Sequence, residues 1–171
     1  MAASENRGQG ATEYLVLLAV VLIIALVSIS LLGFFPGMAS DAQISQSKIY
    51  WSGEAAPMRI MDAAIVQISC SDARVPTGYR LVLQNAGADS LTFTGVSSGG
   101  DAYKFCLLGN ASNIPFAIGA GEAATIDVAP PLNISCGKGS VEELQLTFSY
   151  SSNNALAREQ VGAKKLALRC P

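Results

Sequence analysis

The hydrophobic and polar positions divide the chain into regions with different periods. The first is an uncharged, largely apolar run from Leu15 to Phe35, which as a helix spans roughly 30 Å, the thickness of a bilayer's hydrocarbon core. Pro36-Gly37 then predicts a kink or a short break. From Met38 to Tyr50 the pattern is weakly amphipathic, which favours a helix that lies against an outer domain or lines the wall of a larger assembly.

Beyond Trp51 the chain changes to short segments rich in Ile, Val, Leu and aromatic residues, separated by Gly, Asn, Ser and Pro. Seven strands are predicted, at residues 59–69, 79–85, 91–96, 103–107, 123–128, 144–150 and 161–168. Strands of this length and spacing favour an antiparallel β-sandwich. The predicted fold class is therefore α+β, with a long hydrophobic helix at residues 9–50 and a sandwich head at residues 51–171.

A single carboxylate lies at the start of the apolar run. Glu13 follows the polar residues 7–12, and a charge at the mouth of a membrane helix is costly unless something neutralises it. An ordinary secretory signal has small residues at a cleavage point after its apolar run, whereas Pro36-Gly37-Met38 follows here. The alternative is a plain signal anchor with an incidental glutamate, since acids suit the start of any helix.

The pair Gly8-Gln9, together with Glu13, Tyr14 and the uninterrupted apolar run, resembles the class III signal peptide of archaeal type IV pilins. The resemblance implies that residues 1–8 are a leader, which a prepilin peptidase removes between Gly8 and Gln9. Glu13 is then the fifth residue of the mature chain. Its implied role is to neutralise the new amino terminus at Gln9 of a neighbouring subunit, which fixes the stagger between subunits of a filament.

Segments 81–87, 91–96 and 120–128 resemble the immunoglobulin-like heads of archaeal pilins. The function implied is that of a structural subunit of a type IV pilus-like filament on the cell surface, with adhesion as its duty. The implied partners are further copies of the chain, the prepilin peptidase, the pilus assembly platform with its ATPase, and the membrane before assembly. The alternatives are a membrane-anchored binding protein that does not polymerise and a minor or tip pilin. Bacterial tight-adherence pilins also carry a Glu-Tyr start, but they usually lack so long a head.

Composition adds little chemistry to this interpretation. The chain has no histidine, the commonest general base and metal ligand, and its carboxylates show no catalytic arrangement, so we expect no enzyme, metal or cofactor. The net charge is −2, and Lys164-Lys165 is too short a cluster to predict nucleic-acid binding. The leader is less basic than is usual for such signals, because Glu5 cancels its only basic side chain, Arg7.

Beyond the apolar run the chain carries four cysteines, namely Cys70, Cys106, Cys136 and Cys170. Their spacing is not that of a zinc site, and in an exported domain an even number favours two disulfides, with three possible pairings. If the strands at 144–150 and 161–168 form a hairpin, its outer ends place Cys136 near Cys170. Cys70 would then pair with Cys106.

Two N-glycosylation sequons fall in predicted loops of the head. They are Asn110-Ala111-Ser112 and Asn133-Ile134-Ser135. An exported domain with acceptor asparagines in surface loops meets the requirements of glycosylation. Such tripeptides also arise by chance, so occupied and unoccupied sites are both compatible with the sequence.

Overall fold

The computed structural model describes residues 6–68, 70, 76–109, 115–152 and 156–171, with side chains for all of these except 6–11 and 32–37. Within these residues the chain forms one long α-helix, a short π-helical turn and ten β-strands. It divides into two compact units, Met1–Asp41 and Ala42–Pro171. An apolar amino-terminal helix followed by an antiparallel β-sheet head confirms the predicted α+β class.

Helix α1 runs from Asn6 to Ile49 and therefore begins ahead of the predicted mature start at Gln9. Of the two outcomes expected at Pro36-Gly37, the short break is wrong, because the helix continues through both residues. A proline inside a helix removes one backbone hydrogen bond, which can bend the helix without ending it. A kink at this point stays a prediction.

The head unit starts at Ala42, so the last two turns of α1 belong to it. Two side chains of this region accept backbone hydrogen bonds from the far end of the chain. Ser47 Oγ accepts from the Ala167 amide at 2.8 Å, and the hydroxyl of Tyr50 accepts from the Ala163 amide, also at 2.8 Å. These bonds fix the end of the helix to the carboxyl-terminal part of the head.

A π-helical turn, Tyr50–Glu54, follows α1 and places a tryptophan in the core. Trp51 is fully buried, and its ring meets Phe148 edge to face with centroids 5.7 Å apart. The backbone of Gly162 lies directly against this ring, and a Cβ at that position would overlap it. Position 162 therefore requires glycine because of the close approach of backbone and ring.

The ten strands are β1 (Met58–Gln67), β2 (Thr77–Asn85), β3 (Leu91–Ser98), β4 (Asp101–Leu107), β5 (Phe116–Ile118), β6 (Ala123–Ala129), β7 (Val141–Leu144), β8 (Leu146–Ser152), β9 (Ala157–Val161) and β10 (Leu166–Arg169). Seven of them form one antiparallel path in the order β1-β2-β6-β4-β3-β8-β9. Strand β5 pairs with β3, and β10 pairs with β7.

Strand β4 changes partner along its length and so connects two layers of the head. Its first residues pair with β3, whereas Lys104–Leu107 pair with β6. Phe93 of β3 meets Phe105 of β4 edge to face with centroids 4.8 Å apart. The apolar core lies between the layer of β1, β2 and β6 and the layer of β3, β5, β8 and β9, whose buried side chains form one cluster.

Each of the seven predicted strands has a counterpart, but two of them are divided. The predicted strand 144–150 covers the end of β7 and most of β8, which are separated at Gln145. The predicted strand 161–168 covers the end of β9, the intervening turn and most of β10, which is a correction to the sequence analysis. Strand β5 was not predicted, since three residues are too few to show a period of two.

The structure contains two disulfides, Cys70–Cys106 and Cys136–Cys170, each with 5.6 Å between its Cα atoms. This is the pairing that the hairpin argument predicted. Strands β8 and β9 pair with each other and β7 pairs with β10, so the two divided strands do form one long, interrupted hairpin. Its outer ends meet where Val141 lies opposite Arg169, next to Cys170.

Candidate processing and assembly segment

The apolar part of α1 has the length and composition of a membrane span. Thr12–Leu31 is a 20-residue segment, and none of it is buried inside the described chain. Its hydroxyl at Ser28 donates to the Ile24 carbonyl at 2.8 Å, so this polar group is satisfied within the helix. A helix that is apolar on all sides and hydrogen-bonded internally suits lipid or other apolar helices as surroundings.

Glu13 lies at the second position of this segment, and its side chain is exposed. No other charged residue occurs between Gln9 and Ser40. The helix includes the backbone of Gly8 and Gln9, whose side chains lie outside the described set. Residues four apart share a face of an α-helix, so Glu13 stands one turn beyond Gln9 on the same face. Glu13 is therefore the single charge at the amino-terminal end of the apolar segment.

The sequon at Asn133 lies on the surface of the head. Asn133 and Ser135 are both exposed, while Ile134 between them is half-buried against the apolar core. The segment continues into Cys136 and its disulfide with Cys170. The acceptor amide is therefore accessible on a segment that is held to the head at two points. The second sequon, at Asn110, lies outside the described residues.

Two titratable side chains of the head are perturbed by their surroundings. Burial raises the pKa of Tyr79, and the neighbouring carboxylate of Glu142 adds to this effect. A hydrogen bond to Asp127 raises the pKa of Arg80. The sequence alone does not predict this ion pair, because only the pairing of β2 with β6 places Arg80 opposite Asp127.

In the described part of the chain, no three His, Cys, Asp or Glu side chains lie close enough together to hold a metal ion. The candidate residues near the amino terminus are Gly8, Gln9 and Glu13. They are contiguous in sequence, which is why the motif could be recognised before the fold was known.

Residues 6–32 match the family model of the class III signal peptide. The matched region contains Gly8, Gln9 and Glu13 and ends just after the apolar segment Thr12–Leu31. No curated protein matches the chain. A class III signal peptide indicates a type IV pilin-like substrate of a prepilin peptidase, and it belongs to structural surface proteins rather than to an enzyme family.

The same signal defines the route of export in general terms. It implies membrane insertion through the apolar helix, processing by a prepilin peptidase, handling by pilus assembly machinery and delivery to the cell surface. The disulfides of the head suit this route, because disulfides form and persist outside the cytoplasm.

Proposed function

We propose that this chain is a structural subunit of an archaeal type IV pilus-like filament that serves adhesion. The observation that supports the proposal is a class III signal peptide that overlaps an apolar helix segment, Thr12–Leu31, with the length and composition of a membrane span. Leaving lipid exposes apolar surface to water at a cost of about 25 cal/mol per Å². Copies of the same helix, packed side by side, remove that cost and form the core of a filament.

In this proposal the peptidase cleaves between Gly8 and Gln9 and removes residues 1–8. The test is mass spectrometry of the amino-terminal peptide from extracellular material that has been sheared off native cells and sedimented. We expect a peptide that begins at Gln9, with its glutamine intact or cyclised. A peptide that begins at Met1 and occurs only in membranes would instead support an anchored binding protein that does not polymerise.

The proposed role of Glu13 is to neutralise the amino terminus at Gln9 of a neighbouring subunit. Both charges are costly alone in apolar surroundings and become tolerable together, which favours one axial register. We expect Glu13→Gln to leave secretion and cleavage intact and to abolish filaments. Glu54→Gln is the matched control, because Glu54 is an exposed glutamate of the head. Normal filament yield from Glu13→Gln would refute the assembly role.

A glycan on Asn133 would cover part of the outer surface of such a filament. Replacing Ser135 by alanine removes the sequon, whereas replacing it by threonine preserves the sequon with a similar side chain. We expect the intact mass to fall by the mass of one glycan in the alanine variant and to keep that glycan in the threonine variant. An unmodified wild-type mass would dismiss the glycan at this site.

A further inference from the structure

The head contains an apolar groove of about 400 Å³ between the end of α1, strand β1 and strand β10. Apolar residues from all three elements line it, among them Ile44, Ile60, Ala64 and Leu168. Met61 also lines it and is 42% exposed. The charged residues of its lining are Lys48, Asp62 and Arg169. An apolar surface with a few charged groups has the composition of a protein interface.

The groove is poorly suited to the addition of a strand from another chain. Strand β1 is at the end of the seven-strand path, but its pairing is interrupted by a bulge between Ile60 and Asp62. At its start, the Gln160 amide group accepts from the Met58 N–H and donates to the Met58 carbonyl, both at 2.8 Å. A bulge and satisfied backbone groups at Met58 disfavour the addition of a strand at this edge, so the groove is better suited to an occupant that binds through side chains.

The size of the groove also restricts the occupant. A stable protein interface comprises about 20–30 residues on each partner, more than the 15 residues that line this groove. A small contact contributes when its partner is already held nearby by a larger one, because the effective concentration is then high. In the proposed filament the partner held in this way is another copy of the chain.

We propose that the groove receives the apolar helix segment Thr12–Leu31 of a neighbouring subunit. The inference rests on the proposed filament function. Most of the exposed large apolar side chains in the described part of the chain belong to this segment, and beyond Glu13 it carries no charge. The contact would cover apolar surface on both partners, the lining of the groove and one face of the helix.

Photo-methionine, a diazirine analogue of similar shape, tests the contact without a change of sequence. Met61 lies in the groove, while Met58 is fully buried in the same strand and serves as an internal control. Filaments that carry the analogue would be irradiated, digested and analysed by mass spectrometry, beside unassembled chain in detergent. We expect cross-links from Met61 to residues 12–31 in filaments, their loss in the unassembled chain, and no such cross-link from Met58.

Each other outcome has a distinct meaning. Equal cross-linking in the unassembled chain would show that the helix of the same chain reaches Met61, which overturns the proposal. Filaments in which Met61 cross-links only to lipid, a small molecule, another protein or the head also overturn it, while the filament function stands. Absence of sedimentable filaments from wild-type cells would refute the proposed function and this inference together.

Substitution of the groove gives a second test. Ala64 is exposed in the groove lining, and Ala64→Arg introduces a long charged side chain there. We expect filament yield to fall about tenfold or more, because a charge inside a closed apolar contact is costly. Ala157→Arg is the matched control at an exposed position of strand β9. Normal filament yield from Ala64→Arg would overturn the proposal.

Discussion

Replacing Arg80 by methionine should destabilise the head more than replacing its partner Asp127 by asparagine. The two residues are opposite each other on β2 and β6. Arg80 Nε donates to Asp127 Oδ1 at 2.7 Å and Nη2 donates to Oδ2 at 3.0 Å, a bidentate arrangement. The carboxylate is fully buried, whereas the arginine side chain is 34% exposed. This difference in exposure makes the two losses unequal.

Removal of Arg80 takes the bidentate cation away from a buried carboxylate, and breaking a buried ion pair by removing one partner costs about 3–5 kcal/mol. Asp127→Asn keeps an acceptor oxygen, and the guanidinium left behind still reaches water. Its cost is therefore that of a hydrogen bond to a charged group, about 1.5–3 kcal/mol. The hydrogen bond to Asp127 raises the pKa of Arg80 above an already high value, so Arg80 is charged at any pH used for the measurement.

The stability of both variants can be measured by urea titration of the detergent-solubilised chain, followed by the emission of Trp51. This residue is the only tryptophan of the chain, and it is fully buried in the head. With a slope of roughly 2 kcal/mol per M urea, Arg80→Met should lower the unfolding midpoint by about 1.5–2.5 M. Equal midpoints for the two variants, or a lower midpoint for Asp127→Asn, would refute the argument from burial.

Three further substitutions test other parts of the head. Replacing Cys136 and Cys170 by serine opens a loop with a sequence separation of 34 residues, which should lower the free energy of unfolding by about 4 kcal/mol. Thermal unfolding should show this difference between the wild type and the variant without reductant, and a reductant should abolish it. Because burial raises the pKa of Tyr79, the unfolded chain loses the tyrosine proton first, and the stability of the head should decline as the pH rises above about 10, the ordinary tyrosine value. Tyr79→Phe should weaken this decline, which urea midpoints measured at about pH 9 and about pH 11 would show. Gly162→Ala should cost about 1–3 kcal/mol and shift the tryptophan emission, whereas Gly53→Ala, whose added methyl group meets nothing within 4 Å, should change neither.

The periodicity of the sequence predicted the strands well and their interruptions poorly. Around Gln145 the apolar alternation continues, but the regular strand pairing is interrupted there and again after Val161. Gln145 Nε2 donates to the Gly162 carbonyl at 2.6 Å, and the Gly162 amide donates to the Leu146 carbonyl at 2.9 Å. The turn makes room for the ring of Trp51, which comes from more than a hundred positions earlier in the chain. A local pattern contains no information about that contact.

The two candidate sites also differ in how far the sequence alone could predict them. The signal motif could be predicted because Gly8, Gln9, Glu13 and the apolar run are contiguous, and the family match falls on this region. The groove could not, because residues 44–51, 60–65 and 166–171 come together only in the folded head. The weak amphipathic pattern of residues 38–50 left two expectations open, a helix that lies against the outer domain and one that lines the wall of a larger assembly. The structure buries Ser47 in the head unit, a contact with β10 that the pattern alone does not contain.

In the proposed filament, these contacts would give a mechanical reason for the position of one disulfide. Tension along an assembled filament would enter the head through the last turns of α1, where Ser47 holds the Ala167 amide of β10. Among the described strands β10 pairs only with β7, through four residue pairs, so few backbone hydrogen bonds oppose a load on it. The Cys136–Cys170 disulfide follows the last residue of β10 and ties it covalently to the segment before β7. Tension that separates β10 from β7 would therefore meet a covalent stop within a few residues.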